Sequence, residues 1–268
     1  MTTILQISDT HIVARREVVS GRLDTKTPLN DLVQRIQESR DEIGPIDALL
    51  VSGDLSDDGS EQSYQHLRDI LAPLMLPTYV IPGNHDLREP LREAFLSDGY
   101  LPKTGPLNWV RRIGDIHLIG LDTLIEGHRS GTLDQATLAF LKTTLGSIAS
   151  GPVLLALHHP PFKTGIHFMD EIGLGAVPEL SDILSKYPKE LRIICGHIHT
   201  MMTVTVAGHI AISAPSPSSE FAYDTRVDAP VGFRELEGGC LLHKWDTVFQ
   251  TTRIGPVAGA GPFPFKPA

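Results

Sequence analysis

The sequence predicts an α/β protein, a four-layer α/β/β/α sandwich in which two mixed sheets pack together between flanking helices. Three observations carry this expectation. Short apolar, β-branched runs recur between positions 4 and 195, each stopping abruptly in polar residues. Stretches with helical periodicity separate them, and strands that alternate with helices pair largely in parallel with the helices outside. Beyond position 200 the helical stretches cease and segments of alternating character succeed one another.

The strands expected in the first part are ILQIS (4–8), ALLVS (48–52), TYVIP (78–82), IHLIGL (116–121), VLLALH (153–158) and LRIIC (191–195). Most are apolar throughout rather than at every second position, which suits strands covered on both faces. The helical stretches are PLNDLVQRIQESRDEI (28–43), SEQSYQHLRDILAPL (60–74), DQATLAFLKTTLGSI (134–148) and VPELSDILSKY (177–187). MTVTVAG, HIAISAP, GCLLHKW and TVFQTTRI then predict consecutive antiparallel strands. The Pro/Gly-rich tail from 255 to 268 is expected to be irregular. With no internal repeat and no linker, 1–268 is taken as one domain, its polar motifs within 1–200 and its antiparallel strands within 201–254.

Composition removes several classes of function. Formal charge is −9, from 32 acidic and 23 basic residues with no Lys/Arg run. A surface for nucleic acid polymers or acidic membranes is therefore not expected. No stretch approaches the roughly 20 apolar residues of a membrane-spanning helix. The opening MTTILQISD has no basic segment ahead of its apolar run, and Cys195 and Cys240 are too few for a disulfide framework. Both are read as buried thiols of a cytoplasmic protein.

The strand ends carry the chemistry. The first strand leads into Asp9-Thr10-His11, the second into Gly53-Asp54 with Asp57 shortly after, and the third into Gly83-Asn84-His85-Asp86. The fifth leads into His158-His159-Pro160-Pro161 and the sixth into Gly196-His197-Ile198-His199. In open α/β sheets the carboxyl ends of the strands share one edge, so these residues should meet at one rim. Carboxylates and imidazoles crowded without a cation repel or stay unpaired, at a cost of about several kcal/mol. A metal removes the conflict. Asp, His and Asn without cysteine suit Mn, Fe, Co or Zn. Seven candidate ligands are more than one ion takes, so two ions sharing a bridging carboxylate is the economical count.

Taken in order, DTH, GDLSDDG, GNHD, HHPP and GHIH resemble the calcineurin-like metallophosphoesterase superfamily, and within it the bacterial cyclic-nucleotide phosphodiesterases and glycerophosphodiesterases. The resemblance runs from residue 9 to residue 199. It implies binuclear-metal-dependent hydrolysis of small phosphodiesters (3′,5′-cyclic nucleotides, glycerophosphodiesters or both) by a hydroxide bridging the two ions. It further implies that Asp9, His11, Asp54 and His199 hold one transition ion and Asp54, Asn84, His158 and His197 the other. His85 falls on the family's catalytic, non-ligand histidine and is expected to contact substrate. Asp57, Asp58 and Asp86 are read as turn or supporting carboxylates, His159 as support, and Asp122 as either a turn residue or a partner of a ligand histidine. Relatives that pair subunits through the C-terminal strands suggest a homodimer or a higher homo-oligomer.

Rival readings differ in residues. Protein phosphatases of the superfamily carry GDxVDRG and GNHE where this chain has GDLSDDG and GNHD. A nuclease is disfavoured by the net charge, and a non-catalytic metal-binding scaffold by the presence of every site residue; a phosphomonoesterase is distinguished only by assay. Substrate choice is expected in the loops around 13–27, 163–175 and 213–235. There Phe168 is the first candidate to touch the organic arm of the substrate, with Phe162, Met169, Phe221 and Tyr223 beside it. Arg15, Arg16, Arg22 and Lys163 are the nearby basic residues, and no guanidinium is expected next to GNHD or GHIH.

Overall fold

β1 (Thr2–Ile7) is buried along its whole length, which explains why a strand of TTILQI shows no polar face. It lies at the centre of a five-stranded sheet, in a computed structural model that describes residues 1–14 and 18–255. β2 (Ala48–Ser52) and β3 (Thr78–Ile81) continue that sheet in parallel on one side of β1. β4 (Trp109–Ile113), β5 (Ile116–Gly120), β6 (Val153–Ala156), β7 (Leu191–Cys195), β8 (Thr203–Val206) and β9 (His209–Ser213) form the second sheet, in the order β4-β5-β6-β7-β9-β8. β10 (Ser219–Phe221) and β11 (Phe233–Glu235) make a small separate hairpin. β12 (Cys240–Asp246) and β13 (Val248–Ile254) return to the first sheet, giving β13-β12-β1-β2-β3.

The helices are α1 (Lys26–Glu38), α2 (Arg40–Ile43), α3 (Glu61–Leu71), α4 (Arg88–Ala94), α5 (Gln135–Ser147), α6 (His167–Glu171) and α7 (Val177–Leu184). Their apolar faces explain the layers. Leu29, Leu32 and Ile36 of α1 and Tyr64 and Leu67 of α3 join one core with the strands of the first sheet. Leu154, Ala156 and Ile194 belong to that same core, so one face of the second sheet packs on the first. The intervening residues Val153, Leu155 and Ile193 face the other way, onto Leu141 and Leu145 of α5 and Leu180 and Leu184 of α7. Alternation along β6 and β7 thus produces α/β/β/α layering, the arrangement expected from the sequence. Each fully buried leucine or isoleucine contributes roughly 1.5–3 kcal/mol by leaving water.

Two expectations require correction. The segments after 200 are not one antiparallel run: β9 pairs parallel with β7, β8 pairs antiparallel with β9, and β12 pairs antiparallel with β1. The chain crosses from the second sheet to the first after β9, so the C-terminal strands close both sheets. The stretch 28–43 breaks at Ser39, whose N–H caps α1 on the carbonyl of Arg35 before α2 begins. β4, α4, α6 and the β10–β11 hairpin had no counterpart among the expected elements. The tail from 256 onward lies outside the described residues, as do Arg15 and Arg16.

Candidate metal centre

Five strand ends converge as anticipated: the residues following β1, β2, β3, β6 and β7 meet where the two sheets open. The backbone there is unusual. Asp9, His11, Asp54, His197 and His199 all have positive φ, between 44° and 71°. Non-glycine residues pay roughly 1–2 kcal/mol for that region, and clusters of such strain gather at functional sites. Hydrogen bonds between strand ends hold the geometry: Asp9 N–H donates to the Gly53 carbonyl, His11 N–H to Asp54, and Gly196 N–H to His158. Glycine at two positions is a matter of space. A Cβ on Gly53 would sit 2.1 Å from His158 Nδ1, and one on Gly83 would sit 2.2 Å from Asp54 Oδ1.

The side chains turn their donor atoms inward. Asp54 Oδ2 lies 3.6 Å from His11 Nε2 and 3.4 Å from His158 Nε2, while its Oδ1 accepts from the backbone N–H of His85 at 2.9 Å. His199 Nε2 stands 3.2 Å from His11 Nε2 and 3.5 Å from Asp9 Oδ1. On the other side of Asp54, the Asn84 carbonyl oxygen is 3.3 Å from His158 Nε2 and 2.9 Å from His197 Nδ1. Atoms bound about 2.1 Å from one ion stand roughly 3.0–3.5 Å from each other. The spacing therefore fits two coordination spheres that share Asp54.

Proton accounting supports the same conclusion. His158 Nδ1–H donates to the Ser52 carbonyl at 2.9 Å and His197 Nε2–H to the Ile172 carbonyl at 3.2 Å. In the neutral rings the inner nitrogens are then bare lone pairs, aimed at an amide oxygen that is also an acceptor. Three acceptors pointing at one another suit a cation, and outer hydrogen bonds of this kind orient metal-binding imidazoles. The electrostatics show the same conflict. Burial lifts Asp9 to about 6. Burial also opposes charge on Asp54, yet His158 and His11 hold it well below the usual carboxylate range. Against its own burial, His158 is raised to about 9 by Asp54 and Asp9. Burial and neighbouring histidines push His197 and His199 well down.

His85 lies edge-on to His11, with ring centroids 4.7 Å apart. Its side chain is 40% exposed, and Nδ1 lies 3.2 Å from Asp57 Oδ1, the oxygen that also faces His11 Nδ1 at 3.1 Å. Burial works against the charged ring, but Asp57 and Asp54 outweigh it and raise His85 to about 9. Asp86 accepts from the N–H groups of Leu55, Ser56 and Gly83 and from Tyr64 Oη, fixing the two loops that carry Asp54 and Asn84. Asp58 ties the start of α3 through Ser60. Asp122 binds Arg88 and the N–H groups of Leu107 and Leu124, so it anchors a loop and partners no ligand histidine. His159 is buried between the Thr123 hydroxyl at 2.8 Å and the Arg129 carbonyl at 3.1 Å. Cys195 and Cys240 are buried free thiols.

A cleft of about 380 Å³ opens over these groups. All three loops expected to govern substrate choice reach it: Val19 and Leu23 from the first, Phe168 and Met169 from the second, Ser219, Phe221 and Phe233 from the third. Phe162 packs beneath and Tyr223 is exposed elsewhere, so neither lines it. Arg129 also lines the cleft. Arg129 and Ser219, whose hydroxyl meets His199 Nδ1 at 2.8 Å, sit in no motif and carry no sequence signal. No helix among the described residues is long and apolar enough to cross a membrane.

Comparison with known proteins agrees with this geometry. Residues 2–201 match the calcineurin-like phosphoesterase family. Over 267 residues the chain is 33% identical to "Probable glycerophosphodiester phosphodiesterase GpdQ" of Arcobacter nitrofigilis, covering 98% of this chain and 96% of that one. It is 31% identical to the 3′,5′-cyclic adenosine monophosphate phosphodiesterase CpdA of Pseudomonas aeruginosa, over 82% of this chain and 77% of that one. A dimetal phosphatase from Danio rerio shares the fold, with a TM-score of 0.62 at 14% identity across 94% of this chain and 98% of the other.

Proposed function

The chain belongs to the calcineurin-like phosphoesterase family, and we propose that it hydrolyses small phosphodiesters, cyclic nucleotides or glycerophosphodiesters, at a centre of two transition ions drawn from Mn, Fe, Co or Zn. The observation that carries the reading is the Asp54 carboxylate placed between two sets of inward donors. Asp9, His11, Asp54 and His199 would hold the first ion, and Asp54, Asn84, His158 and His197 the second. Two ions held there would supply charge neutralisation for phosphoryl oxygens and a water whose pKa is brought towards about 7.

The remaining work falls to the chain's own groups. Asp57 occupies His85 Nδ1, and Nε2 of the imidazolium has no partner among the described residues, so it is available to the cleft that His85 lines. From Nε2 the ring donates to a phosphoryl oxygen or passes its proton to the leaving alkoxide, a contribution of typically about 10²–10⁴-fold. Phe168, Phe221 and Phe233 form the apolar wall against which the organic arm packs and from which water is displaced. Oligomerisation is part of the proposal: β13 and β8, both from the C-terminal segment, are outer strands of the two sheets, and open edges are usually covered. Light scattering tests it, and a monomer at working concentration would remove it.

The test of function is a panel assay on protein stripped of metal and reloaded with each ion. Cyclic AMP, glycerophosphoethanolamine, bis(p-nitrophenyl) phosphate and p-nitrophenyl phosphate are compared. Turnover that depends on added metal, with kcat/KM higher for the diester p-nitrophenyl substrate than for the monoester, is the expected result. Full diesterase activity without metal, or a monoester preference at matched pH and metal, overturns the reading.

A further inference from the structure

Among the described residues, the cleft's lining includes three aspartate or asparagine side chains and four histidines, but one Arg and no Lys. That residue, Arg129, is exposed, and its guanidinium makes no ion pair or hydrogen bond among the described residues. Neighbouring arginines are engaged: Arg22 pairs with Glu235 and Arg88 with Asp122.

A free arginine on a loop is ordinarily a solvated charge. Here the fold spends buried groups on placing it. His159 is wholly buried, and its Nε2–H donates to the Arg129 carbonyl at 3.1 Å while Nδ1 accepts from the Thr123 hydroxyl at 2.8 Å. Gly131 lies against that ring so closely that a Cβ would come within 2.2 Å of His159 Nδ1. The Gly131 N–H donates to Gly173 at 3.2 Å, and its carbonyl accepts from Gly175 at 2.7 Å. At the other end of the loop, the Arg88 side chain holds Asp122 and Leu124, and its N–H holds Glu126. Thus the backbone of Arg129 is fixed from both sides, by a histidine adjacent in sequence to a proposed metal ligand.

From this geometry we infer that Arg129 is a further substrate-anion contact of the cleft, and that it sets how strongly a doubly charged phosphomonoester is taken relative to a singly charged diester. The inference rests on the phosphoester reading of the site. A guanidinium fork hydrogen-bonds two oxygens at once and attracts a dianion more than a monoanion. Diester preference therefore comes from the apolar wall and is restrained by Arg129.

Arg129→Ala should lower kcat/KM for p-nitrophenyl phosphate on the order of ten-fold and for bis(p-nitrophenyl) phosphate about three-fold, within the range of one charge-assisted contact. Arg129→Lys, which keeps the charge without the fork, should lie between. Calorimetric titration of the metal-loaded protein with inorganic phosphate should show roughly ten-fold weaker binding for Arg129→Ala at low salt, the difference shrinking as salt rises, with metal content unchanged. An equal fall for both esters, or phosphate affinity identical to the parent's, overturns the inference. If neither ester is hydrolysed the functional proposal fails by itself, and the phosphate titration still decides the role of Arg129.

Discussion

Replacing Gly83 by alanine adds one methyl group in the worst available place. Its Cβ would stand 2.2 Å from Asp54 Oδ1, 2.3 Å from Asp54 N and 2.9 Å from Asp54 Cγ. Ordinary contacts need about 3.4 Å or more, so something must retreat by roughly 1 Å. The φ of Gly83 is not in the left-handed region, hence alanine brings no backbone strain and the whole effect is collision. Asp54 has little room to yield. Its Oδ1 accepts the His85 N–H, its carbonyl accepts the His11 N–H, and it is already held at φ 49°. Overpacking of this kind typically costs about 1–3 kcal/mol, which for a chain of this size is a Tm lower by roughly 3–10 °C. The larger consequence is chemical. Asp54 faces both donor sets, so a displaced carboxylate weakens both ions together, and a misplacement near 1 Å costs about 10²-fold in rate. The assay is metal per chain after gel filtration, by elemental analysis, alongside a thermal melt and diester turnover. A variant with two ions per chain and parental turnover would refute the assignment of Asp54 as the shared ligand.

Other substitutions separate roles that look alike in sequence. His85→Ala should keep both ions and lose roughly 10²–10⁴ in turnover, whereas Asp54→Ala should lose both ions; the reverse pattern in elemental analysis would exchange their roles. Gly146→Ala should act opposite to Gly83→Ala, because no atom lies within 4 Å of its Cβ inside α5. A gain of about 0.5–1 kcal/mol by urea unfolding is expected, and a loss would contradict the open space seen there. His243 is buried against Gln6 and Thr251, and burial together with Arg192 lowers it to about 3. Between that value and 6.5 the unfolded chain binds a proton the folded chain refuses, so stability falls as pH drops through this window, by at most about 1.4 kcal/mol per pH unit from this group. His243→Gln should flatten the slope of urea stability between pH 6 and pH 4, and equal slopes for variant and parent would show that His243 takes up no proton on unfolding.

How far the fold was legible depended on what each stretch had to satisfy. ALLVS and LRIIC form strands with the expected bounds because they are buried on both faces, and burial on both faces writes itself as an unbroken apolar run. WVRRI escaped notice because β4 is an outer strand whose two central arginines remain partly exposed, although Trp109 enters the core and donates to the Val80 carbonyl at 2.8 Å. HIAIS and CLLHKWD read correctly as strands, but alternation reports only which residues share a face. It carries no information on neighbour or direction, so the parallel pairing of β9 with β7 and the return of β12 to β1 depended on contacts far apart in the chain.

Legibility of the site divides along the same line. Asp9, His11, Asp54, Asn84, His158, His197 and His199 each follow a strand that could be recognised, and chemistry of that density has few uses besides a cation. Arg129 lies in a loop placed by a buried histidine and a bare glycine, and Ser219 opens a three-residue strand that carried no motif. Nor does any residue letter announce positive φ, yet five proposed ligands have it. Such strain persists only where surrounding structure over-determines it. Here the hydrogen bonds from Asp9 to Gly53 and from His11 to Asp54 run between the backbones of different strand ends and fix where those side chains start. The backbone of the rim is therefore preorganised by the sheets. Preorganisation also explains why the glycines beside the ligands matter as much as the ligands themselves. The strand ends approach so closely that Gly53 and Gly83 leave room for His158 and Asp54 only because they lack a side chain.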